Sequence, residues 1–185
     1  MRFQYNAPFT LTFTFLCVLV MIFSDLTFGE STKTWFTVYP VTSYTNPMSY
    51  LRMVTHALGH GNWEHLISNL TFILLLGPML EEKYGTNRMI FMSFFTALVT
   101  GVANAFFFQT GLLGASGIVF MMILLSSFAN FRSGTIPLTF LMVLVLFLGK
   151  EILSALQNNQ ISEFAHVVGG ICGSVFGFSR GTDSL

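Results

Sequence analysis

The sequence predicts an all-α membrane protein, a bundle of six transmembrane helices forming one domain over residues 1–185. Three observations lead there. The chain is 53% hydrophobic and only 9% charged, whereas a soluble domain carries about 25% charged residues. Its apolar residues gather into six segments, about 9–29, 62–80, 89–108, 114–131, 136–153 and 163–179. Brief polar links such as "EEKYGTNR" and "RSGT" make sequential helices antiparallel neighbours. The eight basic and eight acidic side chains cancel, so nothing in the charge points to nucleic acid; the apolar composition makes the lipid bilayer the expected partner.

A perpendicular span needs about 20 residues, within a range of roughly 17–25. The first segment follows a thin positive region, Arg2, and lacks an A-x-A-type cleavage site, so it reads as an uncleaved span. The long first loop, residues 30–61, carries the aromatic amphipathic stretches "WFTVYP" and "SYLRMVTHALGHG" and is expected to lie in the interface plane. The fourth and sixth segments are short, and such helices start below the surface or sit where the bilayer thins. Neither a separate soluble domain nor a seventh span is expected. A cytoplasmic N-terminus puts Arg2, Lys83, Arg88, Arg132 and Arg180 inside and Lys33, Arg52 and Lys150 outside, the orientation favoured by the positive-inside rule. Cys17 and Cys172 lie in apolar stretches and read as packing thiols.

Ionisable and strongly polar groups within spans are rare and usually functional. Here they form a pattern. His65 and Asn69 open the second segment at i, i+4 spacing and so share a helix face. Ser116 opens the fourth segment, inside "GLLGASGIVF". His166 opens the sixth. With a cytoplasmic N-terminus these three segments all run from outside to inside, so at about 1.5 Å per residue the four groups are expected at similar depths, within roughly 10 Å of the outer surface. Gly169, Gly173 and Gly177 form a ladder on one face below His166, and small residues at that spacing admit a second helix closely. Gly114 and Gly117 are the expected partners on the fourth segment. Gly114 also serves a turn within the membrane.

A serine hydroxyl becomes a useful nucleophile when a base accepts its proton, and a histidine suits that role. Attack on an amide then creates an oxyanion. His65, Asn69 and the Ser116 backbone N–H at a helix N-terminus are candidate donors to it. The implied reaction is peptide-bond hydrolysis by a Ser116–His166 dyad, with no cofactor. A metal site at His56 and His60 lacks a third ligand at suitable spacing. A transporter would spread its polar groups through the membrane depth. Arg52 is expected to pin the first loop through backbone carbonyls, and Glu81 and Glu82 to form a helix-end polar network. Thr100 and Asn104 are expected to bond between helices.

At this point the residues resemble the rhomboid intramembrane serine proteases. "GASG" resembles the family's G-x-S-G motif, implying Ser116 as nucleophile. "AHVVGGICG" resembles H-x-x-G-x-x-x-G, implying His166 as base. "HGNWEHLISN" resembles H-x-x-x-x-H-x-x-x-N, implying His65 and Asn69 in the oxyanion hole. "LRMVTHALGH" and "LEEKYG" are similar to the family's first loop and to the acidic turn closing its second helix. The resemblance covers roughly residues 47–178. It implies a six-helix bundle of the minimal bacterial form, a serine in a wet cavity open to the outer face of the cell membrane, and transmembrane protein segments as substrates. Leu51 replaces a frequent Trp, and Phe120 replaces a frequent Tyr while still able to stack on His166. The contrasting reading is a non-catalytic relative that binds membrane clients; such relatives typically lack the serine or the histidine. No oligomeric state is implied.

Overall fold

The computed structural model describes residues 4–40, 45–128, 136–156 and 163–179. Among them are eight α-helices: α1 (Pro8–Leu26), α2 (Glu30–Trp35), α3 (Pro47–Thr55), α4 (Trp63–Tyr84), α5 (Thr86–Phe107), α6 (Ser116–Ser126), α7 (Leu138–Leu156) and α8 (Glu163–Ser179). A 3-10 turn, His56–Leu58, follows α3. The one β contact among the described residues is an antiparallel bridge between Val38 and Leu112. By length and composition α1, α4 and α5 can each cross a membrane, and Ser116–Ser126 and Phe164–Ser179 are shorter apolar helices.

The helix limits shift from the sequence expectation for local reasons. Pro8 starts α1 at a position where its missing N–H costs nothing. The helix ends by Leu26, where Gly29 turns the chain at φ +84°. The fourth helix continues past its Pro78 and stops at Gly85, φ +82°. The sixth is shorter than the expected 114–131. Gly114 and Ala115 form a turn before it, Ser127 and Phe128 form a turn after it, and 129–131 lie outside the described residues.

The first loop does more than lie along a surface. Met53, His56, Ala57 and His60 are buried, and α3 meets α5 so closely that a Cβ on Gly101 would lie 2.1 Å from the Met53 carbonyl oxygen. Arg52 Nε donates to the Thr34 carbonyl at 2.7 Å. Trp35, Tyr39, Tyr50 and Trp63 stay exposed, as aromatic residues at a membrane interface do. Thr100 and Asn104 tie α5 to loops, not to other helices. Thr100 Oγ1 sits 3.4 Å from His56 Nε2, and Asn104 Nδ2 donates to the Thr110 carbonyl at 2.9 Å.

Helix α6 is apolar on all sides and buries Ile118, Val119, Met121, Met122, Leu124 and Leu125, the signature of a central helix. It packs most extensively against α8. A Cβ on Gly169 would fall 2.1 Å from the Gly117 carbonyl oxygen, and one on Gly173 would fall 2.3 Å from that of Met121. Gly177 faces the Phe128 ring. The ladder's partners are therefore Gly117, Met121 and Phe128. Gly114, expected to share this contact, faces α4 instead.

The end of α4 clasps two other helices. Ala7 offers α1 no side-chain cap. The Glu81 carboxylate supplies one, accepting from Phe9 N at 2.8 Å, Thr10 N at 3.0 Å and Thr10 Oγ1 at 2.9 Å. Thr86 Oγ1 also donates to it at 2.8 Å. Two residues on, Lys83 Nζ donates to the Phe128 carbonyl just beyond α6. Each charge meets the helix end whose dipole it complements.

Two substitutions test this framework by thermal unfolding in detergent. Glu81→Leu strands buried donors and is expected to cost about 2–4 kcal/mol. Gly173→Val forces α8 off α6 and should lower the unfolding temperature more than the same change at exposed Gly61, where a Cβ meets nothing within 4 Å.

Candidate active site

The segment before α6 is a turn held from several sides. Gly114 takes φ +117°, which L side chains rarely adopt. Val38 and Leu112 exchange two backbone hydrogen bonds of 2.9 Å, and Gly114 N donates to the His56 carbonyl at 2.9 Å. Ala115 N donates to His60 Nε2 at 3.5 Å. This turn delivers Ser116 as the first residue of α6. Its N-cap, Ala115, has no capping side chain, so the positive end of the helix dipole sits at Ser116.

Ser116 lines a cavity of about 620 Å³ together with His65, Asn69 and His166. Three helices, α4, α6 and α8, thus bring the four sequence-selected residues to one space. Asn62 Oδ1 caps α4 by accepting from His65 N at 2.8 Å. That sets the first turn, from which the His65 side chain reaches the Gly114 backbone. A Cβ on Gly114 would lie 2.7 Å from His65 Cε1 and 2.8 Å from its Nε2, so this glycine is required by contact as well as by φ. Asn69 is 5% exposed, and its Nδ2 has no hydrogen-bond partner among the described residues. A buried orphan donor is costly, and this one borders the cavity.

On the opposite wall the His166 ring lies 4.3 Å from the Phe120 ring, centroid to centroid, with the planes tilted by 36°. A Cβ on Gly117 would stand 3.3 Å from the Ala165 carbonyl oxygen, so the neighbours of Ser116 and of His166 meet directly. Phe72, Val119, Ile123, Val143 and Leu146 supply apolar lining. Arg52, Gly169 and Gly173 do not line the cavity.

Sequence reading weighed His60 only as a metal ligand beside His56, and passed over the lining contributed by Ser68 and α7. His60 is buried, and its ring meets His65 edge-on at 5.0 Å between centroids. The available signal was its place at the head of the H-x-x-x-x-H spacing. His56 and His60 direct their ring nitrogens to separate partners: Arg52 O and Thr100 Oγ1 for His56, Leu58 O and Ala115 N for His60. Among the described residues no three His, Cys, Asp or Glu side chains gather as a metal site would require.

These features define a polytopic helical membrane protein with an open, largely apolar cavity into which a few polar side chains are gathered. Residues 47–182 match the Rhomboid domain family, and the chain belongs to that family. It is 25% identical over 173 residues to a protein named Rhomboid protease GlpG from Haemophilus influenzae, covering 91% of this chain and 88% of the relative. It is 26% identical over 175 residues to a protein of the same name from Yersinia pestis, strain Pestoides F, covering 92% of this chain. The match spans only 62% of the Yersinia relative's length. Family and apolar helices together make this a transmembrane protein of the intramembrane-proteolysis class.

Burial holds the His56 and His60 imidazoles well below their usual 6.5, to about 4 in each case. The unfolded chain takes up these protons near pH 6.5 and the folded chain only near pH 4, so acidification across that window favours unfolding. The unfolding temperature in detergent is expected to fall as pH drops from about 6.5 to 4. His56→Asn should make that pH dependence shallower.

Proposed function

We propose that this protein is an intramembrane serine endopeptidase that hydrolyses peptide bonds in or near the transmembrane segments of other proteins. The observation that carries the reading is the single cavity shared by Ser116, His166, His65 and the unpartnered amide of Asn69. Ser116 Oγ attacks the scissile carbonyl while His166 takes its proton. His166 then returns the proton to the leaving amine, and water repeats the cycle on the acyl-enzyme. The oxyanion receives donors from Asn69 Nδ2, the His65 ring and the Ser116 N–H at the head of α6. Each such donor is worth roughly 10²–10³ in rate. An orphan Asn69 donor, costly in the resting protein, finds its acceptor only when charge develops on the carbonyl.

Phe120 braces the His166 ring, and Gly114 and Gly117 allow the close approaches that set these distances. The substrate helix unwinds locally so that its carbonyl reaches Ser116, and the apolar lining receives its side chains. Six spans, α1, α4, α5, α6, α7 and α8, build one domain in the cell membrane. The N-terminus is cytoplasmic, and the cavity opens to the outer face.

Ser116→Ala and His166→Ala are each expected to reduce cleavage of a model transmembrane substrate in liposomes to background. Asn69→Ala should lower kcat by about 10²-fold. A fluorophosphonate should label the wild type and not Ser116→Ala, and EDTA should leave cleavage unchanged. Cleavage persisting in either dyad variant overturns the assignment. Absence of labelling in folded wild type favours a non-catalytic client-binding relative.

A further inference from the structure

The two loop histidines hold consecutive peptide groups of the nucleophile's turn. The His56 carbonyl accepts from Gly114 N, and the His60 ring accepts from Ala115 N. His60 is 1% exposed. Its Nδ1 lies 3.2 Å from the Leu58 carbonyl oxygen, which can only accept, so Nδ1 carries the proton. Its Nε2 faces the Ala115 N–H, which can only donate, so Nε2 keeps its lone pair. The imidazolium, or the other neutral tautomer, would aim N–H at N–H. The same ring contacts His65 edge-on.

Resting on the proposed roles of Ser116 and His65, we infer that His60 is a positioning residue: as the neutral Nδ1–H tautomer it anchors the Gly114–Ala115 peptide and backs His65, fixing nucleophile and oxyanion donor relative to each other. The need for an anchor follows from Gly114. Its φ of +117° is held by contacts and not by helix geometry, and the peptide that His60 holds leads directly into Ser116. Burial keeps His60 neutral down to about pH 4. The titratable side chain facing it among the described residues is His65, whose charge would oppose a second charge on His60. The ring's neighbours therefore all favour the form that accepts from Ala115.

The test uses the full chain in detergent with two variants. His60→Gln keeps an acceptor near the Nε2 position, and His60→Leu keeps bulk without one. The Leu variant is expected to lose roughly 10–100-fold in kcat with KM within about twofold, since a misplacement of about 1 Å costs up to 10²-fold. Its fluorophosphonate labelling should slow in parallel. The Gln variant should recover to within about fivefold of wild type. Histidine-labelled NMR should show His60 neutral with the proton on Nδ1 at pH 6. Equal kcat in wild type and Leu variant, equal losses in Leu and Gln variants, or a His60 imidazolium or Nε2–H tautomer at pH 6 would each overturn the inference. The NMR reading needs no turnover. It judges His60 even if Leu prevents folding, and a failure of the Ser116 assignment appears separately as missing wild-type labelling.

Discussion

The backbone contact between α6 and α8 carries the rest of the structure. In lipid there is no hydrophobic gain in pressing one apolar helix on another, because the acyl chains are as apolar as leucine. Association must come from close van der Waals fit. Gly169 and Gly173 remove the side chains that would hold the two backbones apart, and the carbonyls of Gly117 and Met121 occupy that space. Ser116 stands one residue before this contact on one helix, and His166 stands one turn before it on the other. The spacing of the proposed reacting groups is thus set by a contact that involves neither of them.

A second constraint comes from the opposite wall. His65 presses against Gly114, and Gly114 adopts a conformation that a helix would not impose. The loop preceding α6 therefore needs external support, and the first loop supplies it through Val38, His56 and His60. This explains why so much of that loop is buried against α5. Its aromatic residues Trp35, Tyr39 and Tyr50 stay exposed, so one segment presents aromatic surface on one side and steadies the cavity wall on the other.

Much of this was legible in the sequence. Apolar segment length gave the principal helices, and the period of the glycine ladder gave the face of α8 that packs. Polar residues at one depth on three helices gave the cavity, because burying such groups in lipid without purpose is expensive. What escaped were interactions between residues distant in sequence. Nothing near Ala7 announces that a carboxylate from α4 caps α1. Nor does Gly114 reveal that its neighbour is His65 and not the ladder. Thr100 and Asn104 read as interhelical because a helical pattern shows which face is polar, not whether a loop or a helix covers it. The fourth segment read as short, but how short α6 is was hidden because composition stays apolar beyond both of its ends.

The clasp at the end of α4 bears on how such a molecule is made. The first helix emerges with two backbone donors at its start that nothing local can satisfy. Their acceptor, Glu81, lies about 70 residues downstream. Until that segment arrives, water or headgroups must serve those donors, so the native cap of the first helix forms only once α4 has been made.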